Sequence, residues 1–157
     1  MNEYIINTLK KKKLCSIATF NGVFIDNAVV FYLSQNFNIY FGAYNYTTKC
    51  KFINVNKLVA LTIGNIQIHG RCVKIGKNSL EYEKIKAEYL EKFPYYGEYL
   101  RDKNNYLYKV TPLVLWMYDN RKSGMNREKI IFNEEYYKRI KPYDYVENIQ
   151  LDYFKYV

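Results

Sequence analysis

The stretch from Leu14 to Val73 decides the fold, because it is a series of short apolar runs separated by turn signals. β-branched and aromatic residues fill the runs, and Asn21-Gly22 is a pair that tolerates the positive φ angles of a tight hairpin. Such a pattern predicts an antiparallel meander. The segments are LCSIATFNG (14–22), NAVVFYL (27–33), NIYFGAYNYTTKCKFINVNKLVALTI (38–63) and IQIHGRCV (66–73).

This first half is expected to contain six strands and one small helix. The helix covers Lys49–Val55, and the residues just before it, Asn45 to Thr48, are of the types that begin helices. Six short strands broken by tight turns indicate a closed or nearly closed barrel. The expected strands are Leu14–Phe20, Val23–Ile25, Asn27–Ser34, Asn38–Tyr44, Leu58–Ile63 and Ile66–Ile75.

The second half is expected to add elements around the barrel without forming a second domain, so residues 1–157 are predicted to be one domain. Asn78 and Glu81 have the spacing of a capping box for a helix that ends before Pro94. Thr111-Pro112 lies in a strand-like stretch and indicates an edge or a bulge, because proline has no N–H to donate. The remaining expected elements are strands at 106–118 and 129–132 and, from Asn133, a short helix followed by an extended arm.

Composition favours a globular cytoplasmic protein. The chain has 157 residues, of which 49% are hydrophobic and 25% charged, which is enough to bury a core. Its three cysteines, Cys15, Cys50 and Cys72, are an odd number without a Cys-x-x-Cys pair, which favours reduced thiols over disulfides or structural zinc. No apolar run is long enough to span a bilayer, so we expect no membrane partner.

The net charge of +9 leaves nucleic-acid binding open as an alternative function. A basic β-barrel with many tyrosines could contact a phosphate backbone and stack on bases, with a steep dependence of affinity on salt. Lys, Asn, Ile, Tyr and Phe are all abundant, however, as AT-rich codons would produce. The charge is therefore weak support for a nucleic-acid partner.

Common catalytic motifs are absent from the sequence. There is no glycine-rich phosphate loop, no G-x-S-x-G elbow and no His-x-x-x-His pair, and His69 is the single histidine. These absences disfavour metal-dependent hydrolysis and triad catalysis. Redox or transfer chemistry would have to come from a bound cofactor.

In their order, the segments quoted above resemble the pyridoxamine 5′-phosphate oxidase-like superfamily of FMN-binding split barrels. The shared pattern is a Leu-Ala-Thr-like strand ending at a glycine turn, a Val-rich strand, Tyr-Phe followed by Ser or Thr and Lys, and Asn-x-x-Val-Ala-Leu. The resemblance implies a mainly β fold, namely a six-stranded antiparallel split barrel with peripheral helices. It also implies an FMN-dependent oxidoreductase that forms a homodimer with the flavin at the subunit interface.

The resemblance assigns the FMN phosphate to Thr47, Thr48 and Lys49. A helix N-terminus flanked by hydroxyl groups and an ammonium group suits a phosphate. The alternatives remain that a threonine only caps the helix, that Lys49 is a solvated surface residue, or that Lys51 replaces it.

The resemblance places the flavin ring along Ala28, Val29, Val30 and Phe31, whose main chain would bond the polar edge of the ring. These four residues could equally be ordinary barrel core. Gln67, helped by Asn65, matches the polar position on a later strand that reaches the flavin, since a carboxamide both donates and accepts.

Three further residues have no assigned role. His69 and Arg71 share a strand face with Gln67 by two-residue alternation. One of them could meet the flavin, its phosphate or a substrate, or both could lie at the surface or in an interface. Trp116 is expected to pack in the core or a dimer interface.

The resemblance does not extend to the substrate motif. The Trp-Gly-Gly and Arg-x-His elements of the true vitamin B6 oxidases are missing after Trp116, so the small-molecule redox substrate is unknown. Haem binding or haem breakdown on the same scaffold, with His69 as the one possible histidine ligand, is a further alternative.

Overall fold

The computed structural model of the chain describes residues 2–118 and 127–144. These residues form one antiparallel sheet with helices around it. The helices are α1 (Asn2–Lys11), α2 (Thr48–Val55), α3 (Leu80–Lys92), α4 (Gly97–Arg101) and α5 (Glu134–Ile140), with 3-10 turns at Pro94–Tyr96 and Lys141–Tyr143. The strands are β1 (Leu14–Phe20), β2 (Ile25–Phe31), β3 (Leu33–Gln35), β4 (Asn38–Tyr44), β5 (Leu58–Ile63), β6 (Ile66–Lys74), β7 (Asn105–Tyr118) and β8 (Arg127–Ile131).

The sheet has eight strands in the described part of the chain, in the order β2-β1-β5-β6-β7-β4-β3, with β8 also paired to β7. β7 is long enough to serve two neighbours on one side, because β4 pairs with residues 105–110 and β8 with residues 114–118. This split in pairing separates the barrel strands from the β8–α5 unit. The mainly β fold with peripheral helices is confirmed, but the prediction of six strands is wrong.

The strand count differs because β7 and β8 belong to the same sheet as the six strands of the first half. The bounds differ as well, since the apolar run 27–34 is divided between β2 and β3. Tyr32 lies between β2 and β3, where its main-chain N–H donates to Lys13 O (3.0 Å) and its buried hydroxyl donates to Leu9 O (2.6 Å). These bonds to α1 and the segment after it turn the chain out of the ladder. An uninterrupted hydrophobic pattern gave no sign of this break.

The first hairpin turn is longer than a two-residue turn. Gly22 has the positive φ (101°) that its position requires, and the Asn21 side-chain oxygen accepts from the N–H groups of Val23 and Phe24. The sequence predicted that the return strand begins at Val23, whereas it begins at Ile25.

The helix α3 is capped by a neighbour of the expected residue. The Ser79 hydroxyl accepts from Tyr82 N (3.1 Å), so the predicted capping box of Asn78 and Glu81 is wrong. Glu81 instead forms an ion pair with Lys109 of β7, with Glu81 Oε1 and Lys109 Nζ 2.6 Å apart. Tyr82, Ile85 and Tyr89 on one face of this helix are buried against β3, β4 and β7.

A bulge interrupts the pairing of β6 with β7 at His69 and Gly70, opposite Pro112. This confirms the irregularity predicted from Thr111-Pro112. A Cβ atom on Gly70 would lie 2.4 Å from Val110 Cγ1 and 3.0 Å from Thr111 O, so a side chain does not fit. The bulge shifts the register of β6 against β7 directly after His69.

The main core lies inside the curved sheet and under α1 and α2. Residues at alternate positions point inward, as Cys15 and Ile17 of β1 and Leu61 of β5 do, and all three are almost fully buried. Their neighbours in sequence therefore lie on the outer face of the sheet. Along the ranges 2–118 and 127–144, no helix is both long and apolar enough to cross a bilayer.

Candidate functional site

The outer face of the sheet carries both apolar and polar side chains and is partly open to solvent. Strand pairing aligns its side chains in two rows that cross six strands. One row is Val29, Ser16, Thr62, Gln67, Trp116 and Lys129, and the other is Asn27, Ala18, Ala60, His69, Val114 and Ile131.

A groove of about 380 Å³ lies on this face, and we call it the outer groove. Small residues, Ala18 on β1 and Ala60 on β5, form part of its lining, which leaves room between larger side chains on either side. Tyr136 of α5 lines it together with His69. The complete lining is Ala18, Thr19, Phe20, Ile25, Asn56, Leu58, Val59, Ala60, His69 and Tyr136.

His69 is half-buried in the lining of the outer groove. Its Nδ1 atom is hydrogen-bonded to the Tyr136 hydroxyl at 2.9 Å, and its ring lies edge-on to Trp116 with centroids 4.7 Å apart. Burial, and next the nearby Arg127 guanidinium, hold the pKa of His69 below its usual value. A neutral imidazole is therefore the favoured form near pH 7, and it can offer Nε2 to a ligand.

The α5 helix is fixed beside the groove by a buried polar cluster. Asp144, whose side chain is 4% exposed, accepts from Arg127 Nη1 and Lys129 Nζ, both at 3.3 Å, and from the Tyr137 hydroxyl at 3.0 Å. The Arg127 guanidinium also lies over the Trp116 ring at 4.4 Å. Arg127 and Lys129 are therefore both occupied by ion pairs with Asp144, and Arg127 also stacks on Trp116. These contacts hold α5 beside the groove.

The predicted phosphate residues lie together at the start of α2. Thr47 precedes the helix, and its hydroxyl donates to Tyr44 O (2.8 Å) and makes no side-chain cap. Thr48 is exposed and Lys49 half-buried, and Lys49 has no ion-pair partner among residues 2–118 and 127–144. The alternative that Thr47 caps the helix with its side chain is wrong, while the ligand assignment stays a prediction.

The predicted ring strand is β2, which is an end strand of the sheet and pairs only with β1 within the described residues. Val29 and Phe31 point outward with 68% and 43% of their surface exposed, whereas Ala28 and Val30 face the core. The main-chain groups on the outer edge of β2 are therefore not used by another strand. Because α2 packs against β1 and β2, the two predicted parts of the flavin site belong to adjacent elements.

The predicted polar residues Asn65 and Gln67 have partners of their own on the far side of the outer face. Asn65 Nδ2 donates to Tyr118 O, and Gln67 Oε1 accepts from Arg127 Nη2 at 2.8 Å. Gln67 shares a row with Val29 but is three strand spacings away, about 14 Å at roughly 4.8 Å per spacing. The structure does not bring Gln67 into contact with β2 within one chain.

The residues left without a role have different surroundings. Trp116 is 2% exposed and packs against Tyr137, which confirms the prediction of a core position. Arg71 is exposed and pairs across the ladder with Leu58, so it lies on the outer face beyond the groove lining. Of Trp116, Arg71 and His69, His69 is the one that lines the outer groove.

Sequence reasoning missed Tyr136 and Arg127, the two partners that orient His69 and Gln67. Each lies 60 or more residues along the chain from the side chain it contacts, and neither belongs to a motif. The Asn133 cap of α5, whose side chain accepts from Tyr136 N, was the one local signal for this region. No group of three or more His, Cys, Asp or Glu side chains suited to a metal ion occurs in the described ranges.

No protein-family model and no curated protein matches the sequence. Solved structures, in contrast, share its fold. A proposed pyridoxamine 5′-phosphate oxidase from Listeria innocua superposes with a TM-score of 0.60 at 16% identity, over 84% of this chain and 98% of that chain.

Two other similar structures are described by different ligands. The Vibrio cholerae heme storage protein HutZ has a TM-score of 0.63 at 10% identity and covers 82% of this chain and 92% of its own. A FAD-binding protein from Mesorhizobium loti has a TM-score of 0.59 at 8% identity, over 73% and 91%. At these identities the likeness concerns the fold alone, which flavin-binding and heme-binding proteins share. The chain has the split-barrel fold that these structures share.

Proposed function

We propose that the chain is an FMN-binding flavoprotein and an oxidoreductase whose substrate is unknown. The observation that carries the proposal is Lys49, a cation without an ion-pair partner among the described residues, at the start of a helix that packs beside the free edge of β2. This combination suits a phosphate joined to a planar ring.

The phosphate end of FMN would lie at Thr48 and Lys49. A phosphate monoester carries about −1.5 to −2 charges near pH 7. The first N–H groups of a helix have no partner within it, and they carry a partial positive charge that attracts anions. Thr48 is exposed and its hydroxyl can donate a further bond.

The ring of FMN would lie against β2. The main-chain groups on the free edge of the strand can bond the polar rim of the ring, while Val29 and Phe31 cover an apolar face. Gln67 is hydrogen-bonded to Arg127 and lies three strands from β2 in the same chain. We therefore propose that it contacts the flavin bound at β2 of the other subunit in a dimer.

We propose that two copies of the chain pair through the outer face. Soluble monomers rarely expose a contiguous apolar patch of this kind, and this one surrounds the ring strand. The exposed apolar side chains on the face are Leu14, Phe20, Ile25, Val29, Phe31 and Leu58, with 42–77% of their surfaces accessible. A cytoplasmic location is part of the same proposal, because Cys15, Cys50 and Cys72 are free thiols.

The Lys49→Ala variant tests the phosphate assignment. We expect its dissociation constant for FMN to rise about 10- to 100-fold, since a hydrogen bond to a charged group contributes roughly 1.5–3 kcal/mol. Fluorescence titration of FMN measures the change, and the shift of the melting temperature at saturating FMN provides a second reading.

Lys51→Ala is the matched control, because Lys51 lies on the same helix and is exposed. It should bind FMN within about twofold of the unmodified protein if its ammonium group is only solvated. Equal affinities of Lys49→Ala and the unmodified protein would contradict the phosphate assignment. Failure of the unmodified protein to bind FMN at all would contradict the proposed function.

Haem is a second candidate, favoured by the position of His69 in an apolar groove with Nδ1 bonded to Tyr136. A hydrogen bond at one ring nitrogen orients the other toward a metal. If haem binds here, the titrated protein should show a Soret band that moves or disappears in His69→Ala. An unchanged Soret band in that variant would exclude His69 as the iron ligand.

A further inference from the structure

We propose that the outer groove binds an uncharged, mostly apolar molecule that places one hydrogen-bonding oxygen against His69. The inference goes beyond the flavin proposal, because it concerns the part of the outer face around His69. Phe20, Ile25 and Leu58 belong both to the groove lining and to the proposed dimer face, so in a dimer the bound molecule would lie at the subunit interface.

Among the residues that the structure describes, none in the lining of the outer groove has a charged side chain. Arg127 and Lys129 are paired with Asp144 and face Trp116 and Tyr137. Arg71, whose cross-strand partner Leu58 lines the groove, is exposed to solvent outside the lining. A carboxylate or phosphate in the groove would lose water without gaining a partner, which costs several kcal/mol. The chemistry of the lining therefore selects against anions, and so against the phosphorylated ligands that Lys49 would suit.

His69 supplies a directional polar contact in this apolar lining. Its Nδ1 is occupied by the Tyr136 hydroxyl, and Trp116 packs edge-on against the ring, so the imidazole has a fixed orientation. When Tyr136 donates to Nδ1, the proton of the neutral ring is on Nε2, which then donates to a carbonyl or hydroxyl oxygen. Few precisely placed polar groups in an apolar site are the usual source of ligand orientation.

The volume of the groove is large enough for a fused two-ring molecule. Its volume of about 380 Å³ lies at the lower end of the usual range for small-molecule sites. Because the side chains of Ala18 and Ala60 are small, the space between Phe20, Leu58 and His69 stays open. A larger side chain at position 60 would fill this space from the strand below.

Three redox-inert compounds of similar size test the inference with the full chain. Chromone is uncharged and has a ring carbonyl, naphthalene lacks the carbonyl, and chromone-2-carboxylate adds a charge. Isothermal titration should give the tightest binding for chromone, with naphthalene about fivefold weaker through loss of one hydrogen bond. The carboxylate should bind at least tenfold more weakly than chromone.

Two variants and a control connect this order to the groove. His69→Phe should weaken chromone about fivefold, to the level of naphthalene, and leave naphthalene unchanged. Ala60→Leu should weaken both compounds at least tenfold, while Arg71→Ala, outside the lining, should change neither. The melting temperature of each variant shows whether it remains folded. If His69→Phe does not fold, His69→Asn replaces it.

Each contrary outcome overturns the inference. Tighter binding of the carboxylate than of chromone would show that the groove accepts anions, and equal binding of chromone by His69→Phe would remove the histidine contact. No binding of chromone would rule out this ligand class. Complete displacement of chromone by FMN or by haem would assign the groove to that cofactor, whereas binding that persists in saturating FMN supports a separate site.

Discussion

Tyr89→Ala is expected to lower the free energy of unfolding by about 3–5 kcal/mol, the range for deleting a large buried aromatic side chain. Tyr89 is 0% exposed and its ring packs against Phe93 and Tyr96 at 5.0 and 5.3 Å. Its hydroxyl donates to Phe31 O (3.0 Å) and accepts from Gly42 N (3.4 Å). One side chain thus attaches α3 to both β2 and β4.

Chemical denaturation of Tyr89→Ala measures this loss, and Tyr89→Phe separates its parts. The phenylalanine variant keeps the ring and removes only the hydroxyl, so it should lose about 1–3 kcal/mol. Tyr95→Ala is the control, because Tyr95 is 92% exposed on the same side of the fold and should change stability by less than about 0.5 kcal/mol. A loss in Tyr89→Ala no larger than in Tyr95→Ala would contradict the packing described above.

Val29→Glu is expected to convert the proposed homodimer into a monomer at micromolar concentration. A carboxylate at this position of the proposed interface would be buried without a partner on association, at a cost of several kcal/mol, or a fall of at least 100-fold in the association constant. Sedimentation velocity over a range of concentrations measures the change. FMN affinity should fall with it, because the flavin is assigned to the subunit interface.

Two controls separate loss of the interface from general effects of the substitution. Leu80→Glu adds the same charge at a residue that is 90% exposed on α3, away from the outer face, and should leave the association state unchanged. Val29→Thr keeps the β-branched shape without a charge and should preserve most of the dimer. A native chain that sediments as a monomer would refute the pairing proposal before any variant is made.

The periodic parts of the fold could be predicted from the sequence. β1, β4 and β5 have the predicted bounds, because each is a short run of apolar, β-branched or aromatic residues bounded by turn residues. Local patterns gave no information on pairing between distant segments, so the membership of β7 and β8 in the same sheet was missed. The expected arm beyond Asp144 lies outside the described residues.

The candidate site was predictable only where neighbours in sequence act together. Thr47, Thr48 and Lys49 lie together at a helix start as predicted, since they are consecutive. The bonds of His69 to Tyr136 and of Gln67 to Arg127 depend on how β8 and α5 fold back over β6. Periodicity cannot reveal such contacts, because it carries no information about which residues meet across the chain.

The division of β7 between β4 and β8 has a consequence for how the chain opens. The pairs of β8 can separate from residues 114–118 while β4 stays bonded to residues 105–110. Partial unfolding could therefore expose His69 without melting the barrel, at a free energy below that of the whole molecule. Amide protons of β8 and α5 would then exchange with solvent sooner than those of β1 and β5.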